Sequence, residues 1–127
     1  MDCYFGSIQL PEGNELEKSA VVSFNIPELG IRFKAPFAAV DPNHGDLAAL
    51  LVLLEFIDCN QKYFPKRGFR IYGNNRTIIN GVNQREPVPP KLAHLLQKAL
   101  DYRKKYCYSL KWVPPKENPA HDSLFDF

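Results

Sequence analysis

The groups whose chemistry can be read before any fold is assumed are three cysteines and two sets of cations interleaved with aromatic rings. Cys3, Cys59 and Cys107 are odd in number, far apart and without a Cys-x-x-Cys pair. That spacing excludes a zinc framework or a disulfide scaffold and leaves reduced, partly buried thiols as the expectation. The cations are Lys62, Lys66, Arg67, Arg70 and Arg76 in one stretch and Lys98, Arg103, Lys104 and Lys105 in another, with Tyr63, Phe64, Tyr102 and Tyr106 among them. Cations neutralise phosphates and exposed rings stack on bases, so this pattern fits a nucleic-acid surface. It fits a solvated helix face with loop lysines equally well. With 16 basic and 14 acidic side chains the chain carries only +2, so any polyanion must be held by a local patch and not by bulk charge.

Those groups need a scaffold. At 127 residues, 45% apolar and 24% charged, the chain reads as one globular domain over 1–127, large enough for its own core. Cys3 to Leu10 is rich in aromatic and β-branched residues and ends at the turn signal Pro11-Glu12-Gly13-Asn14. Ala20 to Ile26 and Ile31 to Phe37 flank Pro27-Glu28-Leu29-Gly30, a hairpin loop. Asp41-Pro42-Asn43 supplies a cap for a helix in which Leu47, Leu50, Leu51, Leu54 and Ile57 recur at helical spacing, while Val52, Leu53 and Phe56 make it apolar nearly all round. Phe69 to Tyr72 reads as a short strand, Thr77 to Val82 as a brief helix, and a second long helix starts at Pro89-Pro90. A strand from Tyr106 to Val113 precedes a polar tail with Leu124, Phe125 and Phe127. The order predicts an α/β fold: a mixed five-stranded sheet, with an antiparallel meander of three strands, then parallel strands, and flanking helices. In such sheets ligands gather at the carboxyl ends of the parallel strands, where Asn74 and the residues after Val113 would lie.

The start Met1-Asp2-Cys3-Tyr4 lacks the basic and apolar regions of a secretory signal. The run Leu47 to Leu54 is less than half of the ~20 residues that cross a bilayer. An intracellular protein is expected, cytoplasmic with the nucleus left open, and with no membrane partner.

Three stretches resemble the ribonuclease H family, in order. Ile71-Tyr72-Gly73-Asn74-Asn75-Arg76-Thr77-Ile78-Ile79-Asn80-Gly81 is similar to that family's I-Y-T-D-S-x-x-V-I-x-G. Trp112-Val113-Pro114-Pro115-Lys116-Glu117-Asn118-Pro119-Ala120-His121-Asp122-Ser123-Leu124 is similar to its W-V-P-x-x-x-N-x-x-A-D-x-L ending, with His121 where alanine is usual. Gly45-Asp46-Leu47-Ala48-Ala49-Leu50, the third, resembles A-E-L-x-A-L; beyond these three, the short Tyr4-Phe5-Gly6-Ser7 resembles Y-x-D-G-S.

The resemblance implies a ribonuclease H-like fold and cleavage of the RNA strand of an RNA–DNA hybrid by two divalent metals held on four carboxylates, Asp, Glu, Asp and Asp. Carried over by position, these fall at Phe5, Asp46, Asn74 and Asp122. Phe5 cannot ligate, Asn74 keeps the shape without the charge, and only Asp46 and Asp122 retain acids, a weak metal set at best. The expectation is a catalytically inactive module with no cofactor. It would bind RNA, DNA or a hybrid through Arg76, Lys98, Arg103, Lys104 and Lys105, or serve as a protein-interaction or homo-oligomeric module. The alternative is a weakly active or rebuilt Mg²⁺- or Mn²⁺-dependent nuclease, in which Asp46, Asp122 and a histidine hold one metal, with Asp41, His44, Glu117 and His121 near the same sheet end. Asp46 also fits as a helix N-terminal acid and Asp122 as a helix cap.

Overall fold

The computed structural model describes residues 1–10, 19–64 and 68–122, with the backbone alone for Asp122. Five strands form one sheet: β1 (Asp2–Gln9), β2 (Ala20–Ile26), β3 (Ile31–Phe37), β4 (Phe69–Gly73) and β5 (Tyr108–Trp112). Their order is β3-β2-β1-β4-β5. β1 pairs with β2 and β2 with β3 antiparallel, whereas β4 runs parallel to both β1 and β5. The β2–β3 connection is a short 3-10 turn, Pro27–Leu29, closed by Gly30 at φ 66°, a left-handed conformation that glycine adopts without a Cβ clash.

Helix α1 (Pro42–Cys59) starts where the Asp41 carboxylate accepts from the backbone N–H of His44 at 2.9 Å. Its apolar circumference is explained by its place: it packs on β1 and β2 on one side and on the helix α3 (Ala93–Lys105) on another. Phe5, Phe24, Leu47, Leu50, Leu53 and Ile71 are all fully buried there. Each such side chain contributes roughly 1.5–3 kcal/mol through removal from water. The short α2 (Arg76–Val82) follows β4, and α4 (Pro119–Asp122) lies against β1 and β2.

Several expectations shift in detail. α3 begins at Ala93, after a 3-10 turn Pro90–Leu92, and the last strand begins at Tyr108 and not at Tyr106. The reason is local: the Tyr106 N–H donates to Tyr102 O at 2.8 Å, so it closes the helix. Of the cysteines only Cys3 is buried, and burial pushes its thiol pKa up to about 12, which keeps it protonated and unreactive. Cys59 and Cys107 are exposed. Phe64 is buried among Phe56 and Phe69 and offers no face to a base. His44 is half-buried: its Nδ1 accepts from the Val40 N–H and its ring meets Phe37 edge-on. Lys66, Arg67, the Pro11–Asn14 turn and Leu124, Phe125 and Phe127 lie outside the described residues. Among the described residues no helix is long and apolar enough to cross a membrane.

Candidate functional site

The carboxyl ends of β1 and β4 meet the first turns of α1 and α2 and the start of α4, and polar side chains from all five elements knit together there. On the α1 side, alternation along β1 places Ser7 with Phe5 toward the helix. Ser7 Oγ donates to Asp46 Oδ1 at 2.9 Å. That approach requires Gly45, since a Cβ there would stand 2.8 Å from Ser7 Oγ. Asn75 caps α2 by accepting the Ile78 N–H on Oδ1, and its Nδ2 donates to Asp46 Oδ2 at 2.8 Å and to Asn43 Oδ1 at 2.9 Å. On the α4 side, Asn118 is 0% exposed. Its Nδ2 donates to Phe5 O at 2.8 Å and to Asn74 Oδ1 at 2.7 Å, while its Oδ1 accepts from the Ala120 N–H at 3.0 Å. Ser23 Oγ ties the next turn down by donating to Ala120 O at 2.7 Å.

Comparison with solved structures bears on this geometry. The chain superposes with a TM-score of 0.76 on ribonuclease H1 from Halobacterium salinarum NRC-1, at 17% identity over 97% of this chain and 92% of that one. LC11 ribonuclease H1 in complex with an RNA/DNA hybrid gives 0.76 at 15% identity, over 95% and 91%. The N-terminal ribonuclease H domain of Rv2228c from Mycobacterium tuberculosis gives 0.71 at 15% identity, over 97% and 93%. The chain has a ribonuclease H fold. No protein-family model and no curated protein matches the sequence.

Within that ribonuclease H fold, the four positions of the expected acidic site lie as follows. Phe5 is 1% exposed, and its ring is part of the core. Asn74 gives its side-chain oxygen to Asn118. Asp46 is buried, with both oxygens taken by protein donors. Asp122 ends α4, and its side chain lies outside the described part. The donor set does not fit a pair of divalent metals. The one described carboxylate of the site is already satisfied by a hydroxyl and an amide. Among the described residues no three of His, Cys, Asp and Glu gather closely enough to hold an ion.

Asp46 gives a pH signature. Burial pushes its carboxyl above the ordinary carboxylate range, opposed by the hydrogen bonds from Asn75 and Ser7 and the charge of His121. A raised folded pKa means that the native state holds the proton where the unfolded chain, with a pKa of about 3.9, has released it. Stability from this group is therefore fully present below the unfolded pKa and lost as pH rises through the folded one. Asp46→Asn removes the titration and keeps both hydrogen bonds: the new amide oxygen accepts from Asn75 Nδ2, which still caps α2 through its own oxygen, and the new amide nitrogen donates to a rotated Ser7 hydroxyl. The variant is expected to match or exceed the parent at neutral pH and to fall relative to it toward about pH 4. Urea unfolding of both proteins across that range checks it, and a constant gap between them would refute the assignment.

The cations expected to bind nucleic acid have unequal fates. Arg103 donates to Val82 O at 3.0 Å and Asn83 Oδ1 at 2.8 Å and lies over the Tyr108 ring, so it braces α2, α3 and β5 together. Lys105 pairs with Asp58 at 2.6 Å, and Lys104 stands 3.9 Å from Asp101. Lys98 is exposed. Arg76 alone adjoins the site: its guanidinium lies 3.9 Å over the Trp112 ring, whose N–H donates to Asn74 O at 3.2 Å. Roles for Ser7, Asn75 and Asn118 were not anticipated from the sequence. Asn75 could have been, because an Asn ahead of an apolar helical repeat is a capping signal.

Proposed function

We propose that this protein is a non-catalytic nucleic-acid-binding module on a ribonuclease H fold. One observation carries the reading: of the four positions that the family motif reserves for metal-holding acids, one is a core phenylalanine, Phe5, and another is Asn74, an uncharged amide whose oxygen accepts from Asn118. Two-metal hydrolysis depends on hard anionic oxygens that hold the ions and activate water, and Mg²⁺ exchanges its own water only for such ligands. Asp46, each of whose oxygens already accepts from a protein donor, does not supply the charge that four carboxylates would. Support for nucleic acid as the ligand comes from Arg76 and Trp112 beside the site and from the similar fold of LC11 ribonuclease H1, which has been solved with an RNA/DNA hybrid.

Two measurements test this. An RNA–DNA hybrid incubated with Mg²⁺ or Mn²⁺ is expected to survive at the background rate. Cleavage that vanishes in Asp122→Asn would sink the non-catalytic reading. The same hybrid, and single strands of either chemistry, should bind at low salt with an affinity that falls steeply as salt rises, since counterion release drives the association.

A further inference from the structure

A second feature, outside the old acidic site, lies where α2, α3 and β5 meet. There a cavity of about 460 Å³ is lined by Asn80, Asn83, Arg85, Arg103, Lys111 and Trp112 among others. Every charged side chain of that lining is positive, and no described acid forms an ion pair with Arg85, Arg103 or Lys111. The contrast with the outer face of α3 is informative, because there Lys104 and Lys105 have Asp101 and Asp58 beside them. Arg103 is built into the wall by Val82 O, Asn83 Oδ1 and the Tyr108 ring, which engages two of the five N–H donors of a guanidinium. The entrance holds Trp112, 36% exposed for so large an apolar ring. Its indole N–H is fixed on Asn74 O and Arg76 covers part of the ring, so the aromatic surface is held in place before any ligand arrives.

We infer that this cavity is a binding site for single-stranded nucleic acid, with backbone phosphate between Arg85, Arg103 and Lys111 and an unstacked base on Trp112; the inference rests on the nucleic-acid reading above. Three cations without acids concentrate an anion, and a guanidinium pinned by backbone and amide loses little freedom when phosphate binds. The asparagine amides add neutral donors. An exposed, pre-oriented indole accepts the face of any base, so recognition tolerates sequence but requires a strand whose bases are not already stacked. A duplex covers those faces and can use only the cations.

Anisotropy of a labelled single-stranded RNA, a single-stranded DNA and an RNA–DNA hybrid tests the site, with thermal melting of each variant as the folding control. Arg85→Ala with Lys111→Ala, both exposed residues, is expected to weaken single-strand binding about tenfold and to flatten the log–log salt slope by about 1.4, which corresponds to two lost phosphate contacts. Trp112→Ala is expected to lose about tenfold on single strands and little on the hybrid. Lys98→Ala with Lys104→Ala removes the same charge from the outer face of α3 and should change affinity by less than about twofold. If the outer-face pair weakens binding as much as the cavity pair, the cavity assignment falls while the nucleic-acid reading stands. If the parent protein binds none of the three probes at low salt, both fall together.

Discussion

Putting even a methyl group on Gly73 is expected to destabilise the protein by about 1–3 kcal/mol, and removing the Phe5 ring should repair most of that loss. A Cβ at position 73 would stand 2.5 Å from Phe5 Cζ and 2.7 Å from Cε1, far inside the ~3.5–4.0 Å at which carbon atoms attract. Neither partner can withdraw. The ring is 1% exposed in the middle of the core, and β4 is held between β1 and β5, with Gly73 O also accepting from Val113 N–H at 2.9 Å. Phe5→Ala alone should cost about 3–5 kcal/mol, a large share of the ~5–15 kcal/mol that stabilises a domain. In the double variant the new methyl occupies space that the ring vacated, so the combined cost should fall short of the sum by about 1–3 kcal/mol. Urea unfolding of the four proteins with equal m-values measures this cycle. Strict additivity would show that ring and strand do not compete for the same space. The pair also explains two departures from the ribonuclease H motif as one change. Where that motif has Asp and Thr this chain has Phe5 and Gly73, a large ring and the missing side chain that admits it. Phe5→Asp by itself would hollow the core and bury a charge in the gap.

The periodicities that define the scaffold act over many residues, and for that reason the antiparallel meander, the mixed character of the sheet and α1 were legible in the sequence. Leu47, Leu50, Leu54 and Ile57 recur at helical spacing and are all buried, and the hairpin around Pro27–Gly30 needs its turn residues. The resemblance in turn located Asp46 and Asn74 beside β1 and β4. Single-residue consequences were less legible because they depend on tertiary neighbours. Nothing in Arg103-Lys104-Lys105 reveals that the first is clasped by Val82 O and Asn83, that the third pairs with Asp58, and that only the second keeps a loose, distant partner. Likewise, the end of α3 is decided by one backbone hydrogen bond at Tyr106, below the resolution of a repeat. Phe5 illustrates the remaining gap. Its type excluded a metal ligand at once, but its role as core filler against Gly73 required a contact between residues far apart in the chain.

The side chain on which the site turns is Asn118, and a change of one atom type there should be severe. Its Nδ2 donates simultaneously to Phe5 O and Asn74 Oδ1, and its Oδ1 receives the Ala120 N–H, all without contact with water. Asn118→Asp preserves shape and keeps the Ala120 bond but replaces the double donor with an oxygen. A carboxylate cannot donate, so it would face Phe5 O at hydrogen-bond distance with no proton between them, and would bring a buried charge as well. Asn74 can turn its amide to relieve one of the two contacts; the Phe5 carbonyl cannot turn. A loss of about 3 kcal/mol or more at neutral pH is expected. The pH dependence identifies the cause. Only the protonated form of the new carboxyl can donate to Phe5 O, so its folded pKa must rise above the unfolded value of about 3.9. The native state then retains the proton as pH rises, and the deficit against the parent should shrink as pH falls through that raised pKa. Asn118→Ala removes donor and acceptor together and gains no titrating group, so its deficit should not vary with pH in this way. Unfolding free energies of parent and both variants from about pH 4 to pH 7 separate the two cases. A deficit for Asn118→Asp as flat as that of the alanine variant would mean that Asn118 serves by its volume and not as the donor that locks β1, β4 and α4 together.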